Sequence, residues 1–303
     1  MFHDFTYGAI LAAAARGSWQ IDDVIGPDAR LDFTRPFMPE NLARSAGADG
    51  LDPRERLLLN QIRAHDYLTL FGLVEEFILP FVLDHARPQL SGDDERVRAL
   101  LQFASEEAKH IQLFKRFHAA FTAGFGHECA VIGPPEAVAQ EVLRHDPLSV
   151  ALVILMIEWM TQSHYLDSVR DDAGLDPLFA DLLRCHWIEE AQHAKIDTLM
   201  VEALADGRSE AEILAAIDGF LEIGAFLDAG LKQQSKFNLD ALERSSGRTF
   251  DQAEGDAICA QQHQALRWTY LGSGMRHEKF RASLQAMSPA ALERIDAIAP
   301  QFC

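Results

Sequence analysis

The chain has 303 residues, of which 48% are hydrophobic, and it carries a formal net charge of -19. This length and composition suffice to bury a sizeable core, and the sequence has no low-complexity tract. So acidic a surface repels phosphate backbones and anionic lipid, which argues against nucleic acid and membrane surfaces as partners.

Cysteine usage and the apolar runs predict a cytoplasmic protein. The four cysteines form no close-spaced pair of the kind that binds zinc or cycles a disulfide, so we expect reduced thiols. The start, Met1-Phe2-His3-Asp4, lacks the basic residues of a signal peptide. The most apolar run, 148–157, is too short to span a bilayer and predicts a buried core helix.

Helical periodicity dominates the first half of the chain, and strand alternation is absent. Residues 1–50 predict one short helix and a loop. Asp52-Pro53 is an N-cap and first-turn pair that opens a helix to about residue 84, which Pro80 should kink. Asp93 or Asp94 then begins a helix that reaches about residue 123.

The second half predicts a short helix to about residue 145, long helices over 147–172, 177–207, 209–235 and 251–287, and a short final helix. Two successive helix pairs, 53–84 with 93–123 and 147–172 with 177–206, have similar length and content. This repeat predicts a four-helix core with extra helices around it. We expect one domain, 1–303, with a core over about 53–206 and additional helices over 209–300.

Two copies of Glu-x-x-His lie on predicted helices, Glu107 to His110 and Glu190 to His193. Positions i and i+3 share a helix face, so both side chains of a copy can reach one metal ion. Both faces are otherwise largely apolar, and a glutamate there costs several kcal/mol unless it is paired or bound to metal.

Each partner helix adds an acidic residue among apolar neighbours. One is Glu158, and the other is Glu75 or its neighbour Glu76. The spacing from Glu75 to Glu107 equals that from Glu158 to Glu190, which favours Glu75. One glutamate from each of two helices and a Glu-x-x-His from each of the other two is the dinuclear carboxylate arrangement of four-helix bundles.

Other polar residues on these faces have two interpretations each. His186 lies one turn before Glu190, and it is either a core histidine bonded to a carbonyl or a third ligand from that helix. Asp197, one turn after His193, either bonds a ligand imidazole or forms a structural salt bridge. His164 lies on another face and is predicted to be structural.

The pattern of Glu75, Glu107-x-x-His110, Glu158 and Glu190-x-x-His193 resembles the ferritin-like di-iron oxidase superfamily. The resemblance implies an all-α, ferritin-like four-helix bundle with additional flanking helices. A histidine before the second Glu-x-x-His, here His186, is similar to arylamine N-oxygenases of the p-aminobenzoate type. That family would make His186 a seventh ligand, with no catalytic residues assigned beyond the metal ligands.

The resemblance implies two iron ions, with manganese–iron or di-manganese as alternatives, and dioxygen as co-substrate. We expect an oxygenase acting on a small aromatic or apolar molecule, best specified as arylamine N-oxygenation. Aliphatic hydroxylation or desaturation, ferroxidase or iron handling, and a radical-generating role with Tyr165 are the alternatives. No dinucleotide or iron–sulfur motif is visible, so electrons should come from a separate reductase or ferredoxin. A homodimer is one possible oligomeric state.

Overall fold

The computed structural model describes residues 3–92 and 94–303, so Met1, Phe2 and Asp93 lie outside it. These two stretches contain helices and no strand, which confirms the all-α prediction. The helices in chain order are α1 Tyr7–Gly17, α2 Ile21–Val24, α3 Glu40–Ala43, α4 Pro53–Ala86, α5 Asp94–Phe125, α6 Pro135–Leu143, α7 Pro147–His164, α8 Pro177–Ala205, α9 Glu210–Ser246, α10 Gln252–Arg267, α11 Ser273–Met275, α12 Glu278–Met287 and α13 Pro289–Ile298.

The bundle consists of two helical hairpins, α4 with α5 and α7 with α8, and α5 also contacts α8. Helix α9 packs across α4 and α7, while α1 packs across α5 and α8. The apolar run that the sequence assigned to a core helix forms most of α7, whose residues are almost all buried. This is the predicted ferritin-like bundle with flanking helices, and it directs one face of each of four helices inward.

Local sequence signals fix the starts of the long helices. Asp52 and Glu55 form a capping box at α4, and Pro53 occupies its first turn. Ser209 with Glu212 forms the same box at α9. Helix α4 continues through Pro80 to Ala86. None of the described helices is long and apolar enough to cross a bilayer.

Three helix ends differ from the predicted ones. Helix α7 ends at His164 and passes into a π-helical turn, Tyr165–Val169, instead of continuing to residue 172. Helix α9 runs to Ser246 because its last turns bury polar residues such as Asn238, which hydrogen-bonds to Asp66 of α4. The predicted helix 251–287 is divided by a π-helical turn, Trp268–Gly272, and by a new N-cap at His277.

Candidate metal centre

The predicted ligand residues meet in the interior of the bundle. Each has at most 2% of its surface exposed. Helix α4 contributes one acid, α7 another, and α5 and α8 contribute the rest. They are Glu75, Glu107, His110, Glu158, His186, Glu190 and His193.

His110 and His186 approach the same two carboxylates from opposite helices. His186 Nε2 lies 3.2 Å from Glu75 Oε1 and 2.8 Å from Glu190 Oε1. His110 Nδ1 lies 3.6 Å from Glu75 Oε1 and 2.9 Å from Glu190 Oε1. One ligand atom from each of these four residues lies within 4.8 Å of the others, a spacing that suits a single metal ion.

A second group of four overlaps the first. His193 Nδ1 lies 2.9 Å from Glu107 Oε1 and 3.1 Å from Glu190 Oε2. Glu107, His110, Glu190 and His193 also offer ligand atoms within 4.8 Å of one another. Because Glu190 and His110 belong to both groups, the two groups share a boundary, as the ligand sets of a dinuclear centre do.

Several buried ligand atoms of this cluster have no hydrogen-bond partner within the described parts of the chain. Buried carboxylate oxygens without partners are costly, which makes unpaired ones a sign of a missing cation. The atoms without any such contact are Glu75 Oε2, Glu107 Oε2 and Glu158 Oε2. A cluster of four carboxylates and three imidazoles fits two divalent transition-metal ions.

The protonation of the cluster follows from the close packing of its buried carboxylates and imidazoles. Burial, and then the charges of Glu107 and Glu190, raise the pKa of Glu75 well above its ordinary value. Burial and the charge of Glu190 raise the pKa of Glu158 in the same direction. Burial disfavours a charged imidazole, but the hydrogen bond to Glu189 and contacts with Glu190 raise the pKa of His110 to about 9. The cluster therefore holds protons that binding of metal ions would release.

Two glutamates that the sequence analysis did not single out bond the outer nitrogens of the histidines. His193 Nε2 lies 3.0 Å from Glu106 Oε2, and His110 Nε2 lies 2.8 Å from Glu189 Oε2. Each glutamate directly precedes a glutamate of the cluster, so the repeated motif is Glu-Glu-x-x-His. These contacts leave the Nδ1 atoms of both rings facing the cluster.

Further residues hold Glu106 and Glu189 in place. Gln102 donates a hydrogen bond of 2.7 Å to Glu106. Lys109 pairs with Glu189, donates to the carbonyl of Trp19 and lies over its indole ring. The Trp19 ring in turn stacks on His110. The segment after α1 thus covers the cluster at the α5–α8 side of the bundle.

The other polar candidates of the sequence analysis do not belong to the two groups of ligand atoms. The Glu76 side chain is 34% exposed and faces Lys115 Nζ at 3.7 Å, outside the cluster. Asp197 is fully buried, but neither of its carboxylate oxygens has a hydrogen-bond partner among the described residues. Neither the bond to a ligand imidazole nor the structural salt bridge considered for Asp197 is therefore present among the described residues, and Glu106 takes the outer nitrogen of His193. His164 contacts Tyr67 and Ser273, in keeping with its predicted structural role.

An apolar cavity of about 360 Å³ lies beside the cluster, between α4, α7 and α9. The cavity wall includes Phe71, Val74 and Ile157, and the latter two directly precede Glu75 and Glu158 in sequence. Three aromatic residues of α5, Phe114, Phe117 and Phe121, are buried in the core and do not line this cavity.

A family model described as p-aminobenzoate N-oxygenase AurF matches residues 18–224. No curated protein matches the chain. Among solved structures, a variant of an R2-like ligand-binding oxidase with an aerobically reconstituted Mn/Fe cofactor is 16% identical, with a TM-score of 0.47, covering 87% of this chain and 92% of that chain. A variant with an aerobically reconstituted Fe/Fe cofactor is 16% identical, with a TM-score of 0.48, covering 89% of this chain and 99% of that chain.

The family match extends over more than half of the chain. It includes α4, α5, α7 and α8 and thus all of the clustered glutamates and histidines. The match agrees with the histidine that precedes the second Glu-x-x-His and with a dinuclear set of ligand groups in the bundle. The chain belongs to the p-aminobenzoate N-oxygenase AurF family, and it is a non-haem di-metal oxygenase.

Proposed function

We propose that the protein N-oxygenates an arylamine at two metal ions, most simply two iron ions, with manganese–iron as the alternative pair. The observation that carries this proposal is the buried cluster of four glutamates and three histidines with unpartnered ligand atoms. Family membership supplies the reaction class. The ligands we propose are Glu75, Glu107, His110, Glu158, His186, Glu190 and His193.

The chemistry requires redox-active metal and a dry interior. When bound, a pair of ferrous ions supplies electrons for the reduction of dioxygen. The glutamates of the cluster neutralise the cations, and their hard oxygen atoms suit higher oxidation states of iron. Buried aromatic rings such as Phe103, which stacks on His193 at 4.1 Å, exclude water from the interior.

The outer glutamates have a positioning role in this proposal. Glu106 and Glu189 accept hydrogen bonds from the Nε2 atoms of His193 and His110, so each ring is held with Nδ1 directed at the cluster. Such contacts also make the imidazole a stronger electron donor to a cation. Lys109 balances the charge of Glu189.

Electrons are proposed to come from a separate reductase or ferredoxin. N-oxygenation transfers one oxygen atom of dioxygen to the amine nitrogen, and the second oxygen atom leaves as water after taking up two electrons and two protons. The sequence has no glycine-rich dinucleotide motif and no cysteine cluster that could hold an iron–sulfur centre. The donor therefore has to be external to the described chain.

Aliphatic oxidation is a second candidate, which the apolar lining of the cavity beside the cluster favours. An alkyl chain and an aromatic ring are both compatible with such walls. The two functions differ in product, because hydroxylation forms a carbon–oxygen bond and N-oxygenation forms a nitrogen–oxygen bond.

The test is oxidation of a panel of arylamines and alkylbenzenes by protein loaded with iron under anaerobic conditions. A chemical reductant and isotopically labelled dioxygen are added, and products are identified by mass spectrometry. We expect the label in a hydroxylamine, nitroso or nitro product. The His193→Phe variant is the control and should form none of these products. Label found only in carbon-hydroxylated products supports the second candidate, and bulk iron oxidation with no organic product contradicts both.

A further inference from the structure

The apolar cavity beside the cluster has the size and position of a substrate site. Its volume of about 360 Å³ lies within the range of ligand pockets, and a dry cavity of about 150 Å³ already holds a benzene molecule. Val131 and Phe226, which are 40% and 38% exposed, belong to its lining, so part of the wall reaches the protein surface. A substituted aromatic ring can therefore be accommodated.

The inner wall of the cavity contacts the metal centre. The Phe71 ring lies edge-on to His186, with 5.4 Å between the ring centroids. Val74 and Ile157 line the cavity and are joined by one peptide bond to Glu75 and Glu158. At Phe71, a molecule in the cavity is thus separated from His186 by a single aromatic ring.

The cavity wall contains no charged residue and no histidine among the residues that the structure describes. Gln233 and Tyr270 supply its polar side chains, and every other lining residue is apolar or glycine. Tyr270 lines the wall, but its hydroxyl group is buried and is not exposed to a ligand in the cavity.

Arg63 is the cation behind this wall, and its Nε and Nη1 atoms have no hydrogen-bond partner among the described residues. Its side chain is 1% exposed and does not line the cavity. Arg63 Nη1 lies 3.8 Å from Asp66, which in turn accepts hydrogen bonds from Gln234 and Asn238 of α9. The guanidinium lies outside the lining, so a ligand in the cavity has no cation in direct contact with it.

These features oppose binding of an aromatic carboxylate. Moving a carboxylate from water into an apolar cavity without a cation is strongly unfavourable. The net charge of -19 also repels anions as they approach. An uncharged arylamine of the same shape has neither this desolvation cost nor this electrostatic repulsion.

We propose that the apolar cavity is the substrate site and that it selects uncharged arylamines with an apolar or ester group in place of a carboxylate. This inference rests on the proposed N-oxygenation for the identity of the reacting amine.

The test is equilibrium binding of 4-aminobenzoate, ethyl 4-aminobenzoate and 4-isopropylaniline to the anaerobic, metal-loaded protein, measured by calorimetry. We expect the ester to bind at least about 10-fold more tightly than 4-aminobenzoate, because only the anion loses hydration without gaining a counter-ion. Ala229→Phe, which adds a ring at the exposed edge of the cavity on α9, should weaken ester binding about 10-fold. Its matched control is Ala119→Phe, in an exposed groove of α5, which should leave ester binding unchanged.

Equal or tighter binding of 4-aminobenzoate, no binding of either uncharged ligand, or equal effects of Ala229→Phe and Ala119→Phe would overturn the proposal.

Turnover separates this inference from the proposed function. If the ester binds with the expected selectivity but its nitrogen is not oxidised, the cavity assignment stands and N-oxygenation fails. If 4-aminobenzoate binds more tightly and is N-oxygenated, the proposed function stands and the selection of uncharged substrates fails.

Discussion

His193 on α8 donates a hydrogen bond from Nε2 to Glu106 on α5 over 3.0 Å. The same contact recurs in the opposite direction, from His110 on α5 to Glu189 on α8 over 2.8 Å. The first glutamate of each Glu-Glu-x-x-His motif therefore orients the histidine of the other motif. The two halves of the bundle fix each other's ligand geometry before any metal is bound.

Replacement of either outer glutamate should weaken metal binding. In Glu106→Gln or Glu189→Gln the imidazole loses its charged acceptor, so the ring is less basic and less well oriented. We expect a loss of about 10- to 100-fold in metal affinity, measured by competition with a chelator. Glu76→Gln is the matched control on the bundle surface and should retain the affinity. Unchanged affinity in both outer variants would refute the positioning role.

Neighbouring acids on α4 should differ sharply in their effect on metal content. Glu75→Gln removes a carboxylate whose oxygen lies 3.2 Å from His186, whereas Glu76→Gln changes a side chain that faces Lys115. We expect the first variant to hold fewer than two ions per chain after desalting and the second to hold two, by elemental analysis. Full occupancy in Glu75→Gln would remove Glu75 from the ligand set.

The ring beneath His193 should contribute to stability in the metal-free protein. Phe103 is fully buried, and its ring stacks on His193 at 4.1 Å. Phe103→Ala should lower the free energy of unfolding by about 3–5 kcal/mol because it leaves a cavity in a packed core. Leu101→Ala, at a position 46% exposed on the same helix, should cost far less. Urea titration followed by circular dichroism measures both, and similar losses would contradict the expectation.

The free energy of unfolding should decrease as pH rises, because the buried acid Asp66, remote from the cluster, loses its proton on unfolding. Burial raises the pKa of Asp66 from 3.8 to about 7, against the opposing charge of Arg63 and its hydrogen bonds. Between these two values the unfolded chain releases a proton that the folded chain retains. The free energy of unfolding therefore decreases as pH rises, by up to about 1.4 kcal/mol per pH unit from this group.

Asp66→Asn should remove that contribution. The difference in unfolding free energy between pH 5 and pH 7 should be smaller in Asp66→Asn than in the native chain, as measured by urea titration at both pH values. The control is Asp240→Asn, at an exposed position of α9, which should keep the native difference. An unchanged pH dependence in Asp66→Asn would show that Asp66 does not carry the retained proton.

The amino-acid sequence by itself determined the bundle and the inner residues of its site. Helical periodicity assigns Glu107 and His110 to one apolar face, and the second motif repeats the pattern at Glu190 and His193. The equal spacing to Glu75 and Glu158 then indicated two similar helix pairs, which the two hairpins of the structure match. These features are local or repeated, so they can be recognised without knowledge of the packing.

Only the tertiary structure decided which residues support that inner set. Glu106 and Glu189 lie about 100° around their helices from the next glutamate, so periodicity places them at the edge of the inner face. Whether an edge residue meets a histidine depends on how α5 crosses α8, which the sequence of one helix does not encode. The same reason explains why Asp197, which shares a face with His193, has no hydrogen-bond partner in the part of the chain that the structure describes. Distances between residues far apart in the chain follow from helix packing, and helix packing also formed the apolar cavity between α4, α7 and α9.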